Sequence, residues 1–217
     1  EQTGNLLTVT VINESGHKLP TGYIEGRRMW LQVEGYDEEG NLIYSSGAYE
    51  QATATLVGYG TDSTLKVYEA HHGLTEDWAT EVGLPAGRSF HFMLNNQIIF
   101  DNRIPPRGYD FAQFEAAGAA PYTDGEPDAN RYANGQHWDV TTYTLPEGVA
   151  YGTVRLMHQI ASREYIEFLR DNNPNPDGNR GDIMYELWET ADFSPPEIMA
   201  QQRFGAPEIY LPMISVP

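Results

Sequence analysis

Apolar and polar residues alternate with a period of two along most of this chain, a spacing that puts successive side chains on opposite faces of an extended strand. Leu7, Val9 and Val11 alternate with Thr8 and Thr10 as a first strand, and Met29, Leu31 and Val33 line one face of a second. The turn Asp37-Glu38-Glu39-Gly40 sends the chain back through Leu42-Ile43-Tyr44, a hairpin whose glycine sits where positive φ is tolerated. Further strands are predicted at 65–68, at 89–94, at 140–145 and at 154–160; in the second of these Phe90, Phe92 and Leu94 alternate with Ser89, His91 and Met93. Six or more such strands, separated by Gly, Pro, Asn and Asp turns, predict a mainly β fold. The expected architecture is an antiparallel β-sandwich of the immunoglobulin or fibronectin kind, with one or two short helices and long loops.

Helix signals are few. Ser162 is placed to cap a helix over 163–170 whose Tyr165, Ile166 and Leu169 point inward, and 185–190 reads as a brief second turn. The segment 103–134, broken by Pro and Gly and carrying Ala116-Ala117-Gly118-Ala119-Ala120, reads as a long excursion with at most one helical turn at 111–117. One sandwich domain over 1–204 is expected. Residues 205–217 form a C-terminal edge strand or tail, because an apolar strand interrupted by prolines fits only at a sheet edge, its own or a neighbour's.

Composition adds what the pattern cannot. With 217 residues, 40% of them hydrophobic, the chain can bury a full core. Thirteen basic against thirty-one acidic residues give a net charge of −18, which repels phosphate backbones and anionic membranes and attracts cations, so nucleic acid is not an expected partner. No run approaches the roughly 18 apolar residues of a membrane span. There is no cysteine, which excludes disulfides, thiolate chemistry, Cys-ligated zinc and haem attached through Cys-x-x-Cys-His. The opening Glu1-Gln2-Thr3-Gly4, without an initiator Met or an apolar leader, is what a mature secreted product looks like, and an extracellular or cell-surface location is expected.

The run Gly16-His17-Lys18-Leu19-Pro20-Thr21-Gly22, followed by Arg27-Arg28-Met29-Trp30-Leu31 and the hairpin to Ser46-Gly47, resembles the haem-free β-domain at the C-terminal end of many bacterial extracellular multihaem c-type cytochromes. Asp101-Asn102-Arg103-Ile104-Pro105-Pro106-Arg107-Gly108, Gly135-Gln136-His137-Trp138-Asp139-Val140, Ser162-Arg163-Glu164-Tyr165-Ile166-Glu167-Phe168-Leu169 and Ser194-Pro195-Pro196 look like further blocks of that domain, in the same order. The resemblance spans about residues 7 to 200 and implies a docking role beside a multihaem cytochrome partner. The chain departs from the pattern in having no haem-attachment site.

Several residues invite a site. Asp171, Asn173, Asn175, Asp177 and Asp182 alternate hard oxygen ligands through a Gly-containing turn, which suits calcium, although the spacing only loosely follows an EF-hand loop and an unliganded polar loop is the competing reading. His17 is expected to fix its turn by hydrogen bonding. One of Arg27, Arg28, Arg103 and Arg107 is expected to pair bidentately with Asp101 or Asp139. His71 and His72 offer a transition-metal site with Glu69, Glu76 or Asp77, but neighbours on a strand point to opposite faces and could chelate together only in a loop, so solvent-exposed loop histidines are the expected reading. Trp30, Trp78, Trp138 and Trp188 offer either core packing or a sugar platform. No nucleophile elbow and no His-Glu-x-x-His occurs, so no enzyme activity is expected.

Three functions follow in order. The first is a non-enzymatic extracellular structural protein that assembles with copies of itself into a filament or surface layer by β-strand addition, stabilised by calcium. Its expected interface is Leu7, Val9 and Val11 near one terminus and Ile209, Leu211, Ile214 and Val216 near the other. The second is an accessory docking domain of an extracellular multihaem cytochrome complex, and the third a carbohydrate-binding module.

Overall fold

The computed structural model of the protein describes residues 1–173 and 178–205. The first half of the chain forms β1 (Gln2–Thr3), β2 (Leu6–Ile12), β3 (Arg28–Tyr36), β4 (Leu42–Ser46), β5 (Tyr49–Glu50), β6 (Thr55–Leu56), β7 (Val67–Tyr68) and β8 (Ala70–Leu74). Then come α1 (Glu76–Val82), β9 (Gly87–Arg88), β10 (Gln97–Asp101), α2 (Phe111–Ala116), β11 (Tyr122–Thr123) and β12 (Glu126–Pro127). The described chain ends with β13 (Trp138–Thr144), β14 (Tyr151–Gln159), α3 (Arg163–Asp171), α4 (Arg180–Thr190) and β15 (Glu197–Phe204).

The fold is mainly β, with antiparallel sheets packed as a sandwich. One layer is the three-stranded sheet β1-β2-β13, the other the sheet β15-β14-β3-β4, to which β7 adds beside β3. The alternation read in the sequence decides what fills the space between them. Leu7 and Val11 of β2 and Tyr143 of β13 meet Met29, Leu31 and Val33 of β3, Val154 of β14 and Phe204 of β15 in one cluster. Strand β3 is buried on its other face too, where Trp30 packs with Leu56 and Met157. Gly47 permits that packing: its carbonyl accepts from Trp30 Nε1 at 2.9 Å, and a Cβ there would collide with the Leu31 carbonyl.

A third sheet, β12-β11-β10-β8-β9, is built largely from the excursion and from residues 70–101. It is tied to the Asn13–Pro20 loop by a buried ion cluster. Lys18 Nζ donates to Asp101 Oδ2 at 2.8 Å and to the Ala120 carbonyl at 3.0 Å. Arg103 grips the same carboxylate with Nε to Oδ1 at 2.9 Å and Nη2 to Oδ2 at 2.6 Å, the bidentate pair expected from the sequence.

Two of the sequence readings need correction. Residues 89–94 are not a strand: they fold into a turn-rich segment closed by Leu94 N–H to His91 O at 2.8 Å. The aromatic residues there serve a helix rather than a sheet, with Phe90 5.3 Å from Tyr165 and 5.6 Å from Phe168, and His91 edge-on to Phe168 at 4.8 Å. His71 and His72 lie on strand β8 rather than in a loop, and the strand's alternation turns them to opposite sides. His71 Nε2 sits 3.1 Å from Glu69 and His72 Nδ1 3.4 Å from Glu25, so each meets a carboxylate of its own.

The helices are four rather than two among the described residues, all flanking the sheets. Ser162 caps α3 as expected, its hydroxyl accepting from Tyr165 N–H. The brief turn expected at 185–190 is the second half of α4.

Candidate docking groove

The two layers of the sandwich are of unequal width, and the mismatch leaves a groove. Strand β2 is paired along its whole length on one side, from Trp138 opposite Ile12 to Thr144 opposite Leu6. On its other side β1 covers only Leu6 and Leu7, with Thr8 bonded to Glu1 through N–H to O at 2.8 Å. From Val9 to Ile12 that edge has no paired strand among the described residues. Peptide groups in an antiparallel ladder alternate in direction, and Asn13 N–H reaches His137 O while Thr8 N–H turns the other way. The N–H and C=O groups of Thr10 and Ile12 therefore face the open side.

Opposite this edge lies β15, the outermost strand of the wider layer, exposed at every position but Phe204. Between the two runs a groove of about 800 Å³ lined by Leu7, Val9, Val154, Gln202 and Phe204. It continues into a depression of about 250 Å³ walled by Val11, Ile12, Leu31, Leu156 and Ala200. Apolar side chains of both layers line it beside Gln2, Thr8, Gln202 and Arg203, and one wall is a strand edge with unspent hydrogen bonds, which is the combination that accepts an added strand. Gly205 also lines the groove, so the described chain ends at it.

The proposed interface residues distribute unevenly on this geometry. Leu7 and Val11 face the core and are nearly sealed from water, while Val9 is partly buried and flanks the groove. What is free on β2 is its backbone edge. Ile209, Leu211, Ile214 and Val216 lie outside the described residues. Residues 200–202 of β15 were not legible as part of a site, because Glu-Ile-Met-Ala-Gln-Gln-Arg-Phe has no period-two alternation to mark a strand.

Other candidates resolve differently. Of the calcium ligands read from the sequence, Asn175 and Asp177 lie outside the described residues. Asp171 ends α3 and is held by Arg170 Nε at 2.7 Å, Asn173 Nδ2 donates to Gly178 O at 3.4 Å, and Asp182 occupies the first turn of α4. Among the described residues no group of three or more His, Asp or Glu side chains converges as a metal site. His17 acts through its carbonyl, which accepts from Asn13 Nδ2 at 2.7 Å and Ser15 Oγ at 2.9 Å, while its ring is exposed. Trp30 and Trp188 are buried in separate clusters and Trp78 donates to Leu94 O, leaving Trp138 as the most exposed of the four. Arg107 pairs with Glu14 at the surface. No helix among the described residues is long and apolar enough to cross a membrane.

No protein-family model matches this chain, and no curated protein matches it. Among solved structures it is similar to a penta-heme cytochrome c552 from Thermochromatium tepidum, with 17% sequence identity and a TM-score of 0.46 over 94% of this chain and 37% of that one. The present chain holds no cysteine, so it has no side chain through which a c-type haem could be covalently attached.

Proposed function

We propose that this chain is a non-enzymatic extracellular module that associates with copies of itself by adding an extended segment to the open edge of β2. The observation that carries the reading is the half-occupied edge: β1 fills the Leu6–Leu7 end of a strand position whose Val9–Ile12 end is free, above an apolar floor. The donor is the segment Ile209–Val216 of a second copy. Twelve residues, the length of 206–217, could reach about 40 Å if fully extended, against about 13 Å for the four-residue edge. Main-chain hydrogen bonds give such an addition its affinity, and alternate donor side chains pack on Val154, Leu156 and Ala200.

The test separates assembly from folding. Removing residues 206–217 should leave a folded monomer and abolish polymers in light scattering. Thr10→Pro should do the same, because it removes one N–H on the open side and leaves the β13 ladder intact. Undiminished polymers from both variants would sink the strand-addition reading. Copies of a chain with net charge −18 repel one another, so calcium held between them favours assembly, and a chelator should lower the polymer fraction in the same experiment.

A second reading is an accessory domain docked on an extracellular multihaem cytochrome. Its support is the ordered set of sequence blocks from Gly16 to Pro196. It requires haem absorbance in material isolated under native conditions with this chain, and haem-free material would dismiss it.

A further inference from the structure

No charged side chain points outward from the paired strands β2 and β13, although 20% of the chain is charged. The stretch Leu6–Ile12 contains no charged residue at all, and Asp139 of β13 turns inward, where Lys66 Nζ at 2.9 Å and the Tyr68 hydroxyl at 3.0 Å hold it. The ladder register sets what the outer face presents. Ile12 lies opposite Trp138, Thr10 opposite Val140 and Thr8 opposite Thr142, so an apolar end grades into a row of hydroxyls along the strand direction. Ile12 is 53% exposed, Val140 51% and Trp138 39%, and the hydroxyls of Thr8, Thr10 and Thr142 have no hydrogen-bond partner among the described residues. Trp138 itself is held in place: Gln136 Nε2 donates to its carbonyl at 2.8 Å, and the His137 ring stands edge-on to the indole at 5.2 Å.

We propose that this face binds a neutral, extended polysaccharide chain of the β-1,4-linked glucan kind. Area argues against a protein partner. Six residue steps of about 3.4 Å along two strands about 4.8 Å apart, widened by side chains to about 10 Å, give roughly 200 Å², about a quarter of the roughly 800 Å² that each partner buries in a stable protein interface. Charge argues against the other extended ligands. A face without a cation, on a chain of net charge −18, offers nothing to a nucleic acid, an acidic glycan or an anionic membrane. An uncharged sugar chain needs neither a cation nor a large area. In a β-1,4-linked glucan each ring carries C–H groups on its faces and hydroxyls at its edges, so one ring stacks on Trp138 while the next along the chain exchange hydrogen bonds with Thr10, Thr8 and Thr142. Threonine is stiff at χ1, which lowers the cost of ordering these hydroxyls on binding. The straight row, about 20 Å long, suits an extended chain and not a coiled one.

This face is separate from the open edge of β2. A strand added at that edge lies beside Thr10 and Ile12 in the plane of the sheet and leaves their outward side chains free, so an assembled polymer presents one such face per copy.

Isothermal titration of soluble hexasaccharides into the full-length protein is the test, because a monovalent ligand keeps the measured affinity independent of assembly. Cellohexaose is expected to bind saturably; maltohexaose, whose α-linkages coil the chain, and the anionic hyaluronan hexasaccharide should bind at least about tenfold more weakly. Trp138→Ala should weaken cellohexaose binding at least about tenfold while the protein still melts cooperatively, and Thr142→Ala about fivefold, the worth of one neutral hydrogen bond. No binding of cellohexaose, equal affinity for the three sugars, or binding unchanged in Trp138→Ala would overturn the proposal. A polymer fraction lowered by Trp138→Ala would overturn it too, by assigning the face to copies of the chain. Failure of sugar binding leaves the strand-addition reading untouched, because that reading is tested by the polymer fraction of the chain lacking residues 206–217.

Discussion

Replacing Asp101 by Ala is expected to lower the stability of the protein by about 3–5 kcal/mol, the range seen when one partner of a buried ion cluster is removed. Asp101 is 1% exposed and answers two cations at once, Lys18 and Arg103. Its loss strands both charges in a site that also anchors the Leu19–Ile104 bridge between the N-terminal loop and the long excursion. Burial by itself would raise the Asp101 carboxyl; hydrogen bonding and charge from Arg103, then from Lys18, outweigh it and hold the carboxyl below its ordinary value. Lys18 is pulled below its ordinary value by burial, with Asp101 opposing the shift. The sign for acid follows from the carboxyl. A depressed folded value means that the Asp101 contribution is fully present above the unfolded value of about 3.9 and is lost as pH falls through the folded one. Urea unfolding should therefore show a large gap between wild type and Asp101→Ala at pH 7 that narrows in strong acid. Equal midpoints at pH 7 would show that the cluster contributes nothing.

Trp30→Ala is the second large effect, again about 3–5 kcal/mol. Trp30 is fully buried, packs beside Tyr49 at a ring separation of 5.9 Å, and supplies the donor for the Gly47 carbonyl. Truncation leaves a cavity against Leu56 and Met157 and an unsatisfied acceptor in the turn that Gly47 makes possible. Trp138, 39% exposed on the outer face of the small sheet, is the control: its replacement by Ala should cost under about 1 kcal/mol, as surface changes do. Similar losses for the two variants would contradict the division of these tryptophans between core and surface.

Legibility in the sequence tracked burial. Strands β2, β13 and β14 alternate between core-facing and outward positions, so their period of two is visible; β3, buried on both faces, is marked by Met29, Leu31 and Val33 on its sandwich side, and the Ser162 cap stands out because it immediately precedes an amphipathic stretch. The misassigned 89–94 segment alternates for another reason: its aromatic side chains pack on α3 while its backbone closes on itself. Strand β15 escaped notice because both of its faces are open up to Phe204, which removes the pressure for alternation. The groove was only half legible. Val9 and Val11 mark β2 as a strand, but that the neighbouring position is half filled depends on how short β1 is, and on how far β14 and β15 extend the opposite layer; neither is written in local composition.

Amide hydrogen exchange at Thr10 and Ile12 tests the central claim most directly, because these N–H groups face the open side of β2 and no residue described in a single chain bonds to them. In assembled full-length protein both should exchange as slowly as the ladder amides of Val9 and Val11, and in the chain lacking residues 206–217 they should exchange freely while Val9 and Val11 stay protected. Free exchange at Thr10 and Ile12 in the assembled protein would contradict the account, and so would protection in a full-length chain that sediments as a monomer.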